Sequence, residues 1–247
     1  MTSPAATIPT PPITVRPAAP TGGDVLIGAG VSILLFALAT TASIALVQLA
    51  PTIRPLLLTA DQPWSLLIQL VLANLILVSA PVAVAWRRGW EVFGLRPLKS
   101  VTLVCYAGGG AVAGVLTAFA LQLVDAATGW KLHGPNQQLL DTSGMPGWAF
   151  LLFALIAAGT TPMIEELVFR GLLFGWLRRR MGLALGAGLS SAIFGALHWW
   201  NGQALWAALI GLLLALIYER SGSLWASIAA HAGNNALAMA LVFWIVP

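Results

Sequence analysis

Apolar residues run along this chain in long, nearly uninterrupted blocks separated by short polar or basic segments. The first block covers about residues 25–49, the second 64–86 and the third 101–124. A fourth begins near Trp148 and closes at Arg178-Arg179-Arg180. The fifth, sixth and seventh cover about 184–200, 204–218 and 223–245. A bilayer core is about 30 Å thick, so a helix rising about 1.5 Å per residue crosses it in about 20 apolar residues. The pattern predicts an all-α polytopic transmembrane helical bundle of about seven spans. Blocks five and six are short and are joined tightly at Asn201-Gly202-Gln203, which predicts a helical hairpin with one partner tilted or partly re-entrant. In block three the spacing of Gly110 and Gly114 predicts close helix–helix contact.

The segments between the blocks divide the chain. Residues 1–22 are rich in Pro, Thr and Ala and predict a disordered, partly extended tail. The tail has no basic n-region or compact cleavage pattern, so its removal as a signal peptide is not expected. Residues 23–100 hold the first helices and a basic loop, and 101–247 hold the remaining helices. The longest polar loop, 125–147, carries Asp125, Lys131, His133 and Asp141.

Composition strengthens the membrane reading. Of 247 residues 59% are hydrophobic and 8% charged, with mean hydropathy +0.88. Soluble domains carry about 25% charged residues, enough to cover a wetted surface. The net charge of +4 would suggest nucleic acid in a soluble protein. Here the basic residues occupy short loops, where they set topology and meet anionic lipid, so no nucleic-acid partner is expected. Arg87, Arg88, Arg96, Lys99, Arg178, Arg179, Arg180 and Arg220 fall on one side of a seven-span chain, against Arg54 and Lys131 on the other. The positive-inside rule makes the first side cytoplasmic. It predicts a multi-pass plasma-membrane protein with its N-terminus inside and its C-terminus outside. Cys105 is alone, so it forms no intrachain disulfide and reads as a small apolar helix residue.

One stretch breaks the apolar pattern. Thr160-Thr161-Pro162-Met163-Ile164-Glu165-Glu166-Leu167-Val168-Phe169-Arg170 places two carboxylates and a guanidinium inside block four. Each costs at least about 2.5–3.5 kcal/mol at the centre of a membrane helix, so partners are required. Glu166 and Arg170 are four apart and share a helix face. Glu165 is turned about 100° from Glu166. The simplest division is a Glu166–Arg170 ion pair that locks the helix, with Glu165 facing a cavity as a general base on water. Pro162 removes a backbone donor and frees carbonyls near the site.

Other polar residues reach the same depth. At about 1.5 Å per residue, Glu165 lies roughly 15–20 Å from the cytoplasmic end, His231 roughly 12 Å, Asn235 roughly 18 Å and His198 roughly 20 Å. Phe194 and His198 share a face, as do His231 and Asn235. His198 is suited to proton exchange, and His231 and Asn235 to oxyanion donation. The set suffices for water attack on an amide without a protein nucleophile. Taken singly, the same residues also read as structure: an ion pair, a helix-bridging histidine and interhelical glue. There is no HExxH, GxSxG, P-loop or GxGxxG motif. Asp24, Asp61, Asp125 and Asp141 sit at loops or span edges, which argues against a paired-aspartate protease.

Three motifs resemble the CPBP family of intramembrane glutamic proteases, also called the Abi or type II CAAX prenyl endopeptidase family. EExxxR is Glu165 to Arg170, FxxxH is Phe194 to His198, and HxxxN is His231 to Asn235, in the family's order. Phe93-Gly94-Leu95-Arg96 is similar to a short stretch common there. The resemblance covers about residues 87–245, with its motif core at 160–240, and implies that 101–247 is the intramembrane protease core. It implies a conical helical bundle and a metal-free endopeptidase without cofactor. Glu165 and His198 would activate water, His231 and Asn235 would hold the oxyanion, and Glu166 and Arg170 would support the site. The eukaryotic branch trims prenylated CAAX proteins, whereas many bacterial members are linked to bacteriocin immunity or peptide processing. The expected substrate is therefore a peptide or protein, lipidated or plain. Two alternatives stand beside this reading: a divalent ion held by Glu165, His198, His231 and Asn235, and a non-catalytic membrane scaffold or peptide-binding immunity protein that retains the polar layer.

Overall fold

A computed structural model describes residues 20–32, 34–35, 38, 64–130, 145–198 and 203–245. Most of the expected tail and first block, the loop 51–63, the loop residues Lys131, His133 and Asp141, and the Asn201-Gly202 turn lie outside the described residues. Every described element is helical. α1 (Gly22–Val25) runs into a π segment, Leu26–Gly30. α2 (Trp64–Arg88) and α3 (Ser100–Thr128) flank a 3₁₀ turn, Trp90–Phe93. α4 (Gly147–Leu155), α5 (Thr161–Glu166) and α6 (Gly175–Ala196) follow one another through the π segments Ile156–Thr160 and Leu167–Phe174. α7 (Ala204–Ser221) and α8 (Leu224–Ile245) complete the bundle.

Five stretches are long and apolar enough to cross a membrane. One of them, Gly147–Ala196, has 50 residues, which would extend about 75 Å as one straight helix. It instead reverses at Gly182, whose φ of 81° and ψ of 178° leave the helical region. A side chain at that φ would be strained, and glycine is not. Past the turn, Ser190 Oγ donates to the Phe169 carbonyl at 3.0 Å. The Phe169 and Phe194 rings meet edge to face at 5.0 Å. Blocks four and five are therefore two antiparallel legs of one continuous stretch. The expectation of about seven spans thus meets five apolar stretches, one of them doubled, with most of the first block outside the described residues.

The bundle carries apolar groups outward and polar groups inward. Leu72, Leu75, Val104, Leu116 and Leu155 are exposed, whereas Glu166, Arg170, Ser190, Ser227 and His231 are buried. That inversion suits hydrocarbon as the surrounding solvent, where charges must find partners inside the protein. The all-α membrane bundle is thus the fold.

α3 and α8 pack at backbone distance. A Cβ on Gly110 would strike the Ala230 carbonyl, and one on Gly233 would strike the Ala107 carbonyl. A Cβ on Gly114 would strike the Asn234 amide. The small-residue spacing of block three is used for this contact.

The basic segments meet at one end of the bundle. Arg178 Nη2 pairs with Glu219 at 2.8 Å. Tyr218 Oη donates to the Phe93 carbonyl at 3.1 Å and Ser223 Oγ to the Arg96 carbonyl at 2.5 Å. At the same end Asp24 accepts from Arg88 Nε and closes a capping box with Thr21. Burial alone would push the Asp24 carboxyl up, but hydrogen bonds from Thr21 and the Arg88 guanidinium hold it below the usual carboxylate range.

Candidate active site

The site is built on the change of helical register around Pro162. In the π segment the Thr161 N–H bonds to the Ile156 carbonyl, five residues back. The next donor in that register would be residue 162, but proline has no N–H. The Ala157 carbonyl is thereby released, and Asn235 Nδ2 of α8 donates to it at 2.9 Å. Asn234 Nδ2 in turn donates to Asn235 Oδ1 at 3.0 Å. Asn235 is therefore held from both ends, and among the described residues its second Nδ2 hydrogen has no acceptor.

The two glutamates separate as their 100° rotation requires. Glu166 is fully buried. Its Oε1 accepts from Arg170 Nη1 at 2.7 Å and lies 3.0 Å from His231 Nδ1. Its Oε2 accepts from Ser227 Oγ. An ionised carboxylate only accepts, so the His231 proton sits on Nδ1 and that nitrogen donates. Arg170 Nη2 donates to the Gly211 carbonyl at 3.1 Å, and its guanidinium lies 4.5 Å from the Phe194 ring centroid. The cation thus has an ion pair, a carbonyl and an aromatic face. Glu165 is 14% exposed at its side chain, and its Oε2 lies 3.6 Å from His231 Nε2. That distance is longer than a hydrogen bond, and the contact is an ion pair only when the imidazole is doubly protonated.

Phe194 links the two imidazoles. Its ring lies 4.7 Å from that of His198 and 5.9 Å from that of His231. His198 stands just past the end of α6, where carbonyls lose their intrahelical donors. Its backbone N–H bonds to the Gly195 carbonyl at 2.9 Å, and its Nδ1 lies 2.9 Å from the Phe194 carbonyl. A carbonyl cannot donate, so Nδ1 carries the hydrogen and Nε2 is left as the exchangeable nitrogen in the neutral ring. Among the described residues no hydrogen bond joins His198 or Asn235 directly to Glu165. Glu165, Glu166, Arg170, Phe194 and His231 are linked by these contacts, and His198 joins them through the Phe194 ring; Asn235 bonds instead to Ala157 and Asn234.

Two polar contributions escaped the sequence reading. Ser227 is one turn before His231 and holds the same carboxylate, so the HxxxN face extends back to a serine. Asn74 of α2 donates to Thr161 Oγ1 at 2.9 Å, one turn before Glu165. The i, i+4 spacing of Ser227 and His231 was the available signal; for Asn74 there was none. Among the described residues no group of three or more His, Cys, Asp or Glu side chains is placed to hold a metal ion.

Residues 147–237, which include all three motifs, match the family described as Type II CAAX prenyl endopeptidase Rce1-like. A Bacillus subtilis (strain 168) protein named "Putative membrane peptidase YdiL" is 26% identical over 127 residues, or 51% of this chain and 52% of that protein. The chain thus spans about half the length of the curated relative it matches. No solved structure matches. Residues 147–237 are thus similar to the Rce1-like type II CAAX prenyl endopeptidases, and they lie within a multi-pass membrane protein.

Proposed function

We propose that this chain is an intramembrane endopeptidase that hydrolyses a peptide bond with water activated by Glu165 and His198. The observation that carries the reading is the approach of His231 Nε2 to Glu165 at 3.6 Å, while its Nδ1 is held by the buried Glu166. A carboxylate with partial access thus stands beside an imidazole whose orientation is fixed. Asn235, with a spare amide hydrogen, lies one turn further along α8.

The chemistry follows from these donors and acceptors. Glu165 takes a proton from water as the water oxygen forms a bond to the scissile carbonyl carbon. The carbonyl π pair moves onto oxygen, where Asn235 Nδ2–H and, in its doubly protonated form, His231 Nε2–H stabilise it. Collapse of this intermediate breaks the C–N bond. The leaving nitrogen receives the proton taken up by Glu165, relayed through His198 Nε2. Peptide and water become a carboxylate and an amine, and no covalent enzyme intermediate forms. Glu166, Arg170 and Ser227 position His231, and Phe194 packs against both imidazoles.

The substrate is a peptide or protein segment, lipidated or plain, that reaches the site from the bilayer. The basic end of the bundle, with the Arg178–Glu219 and Asp24–Arg88 pairs, faces the cytoplasm in this reading. The N-terminus is then inside and the C-terminus outside at the plasma membrane. Membrane peptides from cells carrying the wild type and the Glu165→Gln chain test the activity. Products present only with wild type, and persisting in purified protein treated with a chelator, are expected. Identical profiles would favour the non-catalytic scaffold, and loss of activity on chelation would favour a metal.

A further inference from the structure

α2 lies outside the family-matched segment, yet it sends one polar side chain toward the candidate site. Asn74 is buried, and its Nδ2 donates to the Leu70 carbonyl of its own helix at 2.8 Å and to Thr161 Oγ1 at 2.9 Å. The Leu70 carbonyl only accepts, so the amide orientation is set by chemistry, with both Nδ2 hydrogens committed. Asn74 Oδ1 is buried with no partner among the described residues. A buried acceptor without a partner destabilises a fold, and a leucine at this place would avoid that cost. What the asparagine does provide is a fixed position for the Thr161 hydroxyl.

Thr161 is four residues before Glu165 and on its face. Its Oγ1 already accepts from Asn74, and its own hydrogen is donated to nothing among the described residues. The side chain is half-buried, and the adjoining Gly159 and Thr160 are exposed. Side chains four apart on a helix are separated by about 5–6 Å. In an extended peptide, carbonyls two residues apart point the same way and are separated by about 6.6 Å. A substrate strand running along this helix face, with its scissile carbonyl at Glu165, would bring a second carbonyl to Thr161.

We propose that the Thr161 hydroxyl donates to a substrate peptide carbonyl two residues from the scissile one, and that Asn74 is the positioning residue that holds this hydroxyl. The inference rests on the endopeptidase reading above. It gives α2 a part in substrate binding.

The test uses the full chain in liposomes and an internally quenched peptide built on a cleavage site found by comparing wild type with Glu165→Gln. Thr161→Val is expected to raise KM about tenfold, the size of one hydrogen bond, with kcat within about twofold. Thr161→Ser restores KM. Asn74→Leu raises KM like Thr161→Val without lowering the melting temperature, and the double variant loses no more than Thr161→Val alone. A wild-type KM in Thr161→Val overturns the proposal. So do losses that track the melting temperature, or that multiply in the double variant. No cleavage by the wild type defeats the endopeptidase reading itself, and the binding role falls with it.

Discussion

Replacing Glu166 by glutamine separates the structural carboxylate from its neighbour. Glu166 is fully buried and receives Arg170 Nη1 at 2.7 Å, His231 Nδ1 at 3.0 Å and the Ser227 hydroxyl. Glutamine has the same shape but no charge, and it turns one of its two ends into an N–H donor. The Ser227 hydroxyl can turn to accept from that N–H and donate to the Leu214 carbonyl at 3.2 Å, so the main loss is that the buried Arg170 cation has no counter-charge. Breaking a buried ion pair from one side costs about 3–5 kcal/mol. Glu165→Gln, by contrast, removes one partly exposed carboxylate whose nearest ionic contact is 3.6 Å away. Its effect on stability is expected within about 0.5 kcal/mol. Titration of both purified variants with SDS in mixed micelles, followed by Trp fluorescence, measures the difference. Glu166→Gln as stable as wild type, or Glu165→Gln the less stable of the two, would refute the division of roles between the carboxylates.

Further outcomes follow from the same packing. Glu166→Leu combined with Arg170→Met removes both charges, and its unfolding free energy should lie above that of Glu166→Gln, because no uncompensated ion remains buried. Gly233→Ala drives a Cβ into the Ala107 carbonyl and should destabilise by about 1–3 kcal/mol. Gly108→Ala meets nothing within 4 Å and should be neutral or stabilising by up to about 1 kcal/mol in the same titration. Asp24, with its folded pKa lowered by Thr21 and Arg88 against the opposing effect of burial, contributes stability above its unfolded pKa of about 3.9. That contribution disappears as pH falls through the lower folded value. Asp24→Asn should therefore be less stable than wild type at pH 7, and melting curves of the two should converge as the pH falls below the unfolded pKa and through the lowered folded one.

Much of this architecture was legible because membrane helices announce themselves by length and by the rarity of charge. The pairing of Glu166 with Arg170 and the separation of Glu165 both follow from helical geometry applied to adjacent positions. That α3 makes a close helix contact follows from Gly110 and Gly114 four apart, whereas its partner α8 is seen only in the structure. The π registers before and after α5 were not legible, since a helix apolar on nearly all sides has no periodicity for a register change to interrupt. Pro162 marked where a carbonyl would be freed, but only the structure assigns it to Ala157 and gives it to Asn235. Ser227 and Asn74 remained hidden because a lone Ser or Asn in an apolar span is equally at home as a bond within its own helix. The reversal at Gly182 was foreshadowed by the three arginines before it, while the backbone that makes it is a single glycine.

If Glu165 is the base that activates water, its replacement must appear in the rate. Purified wild-type and Glu165→Gln chains, both confirmed folded in liposomes, are given a quenched peptide that the wild type cleaves. Glu165→Gln is expected to hydrolyse it about 10²–10⁴-fold more slowly, the contribution of one positioned general base, with peptide binding retained. Cleavage by Glu165→Gln within a few-fold of wild type would contradict it.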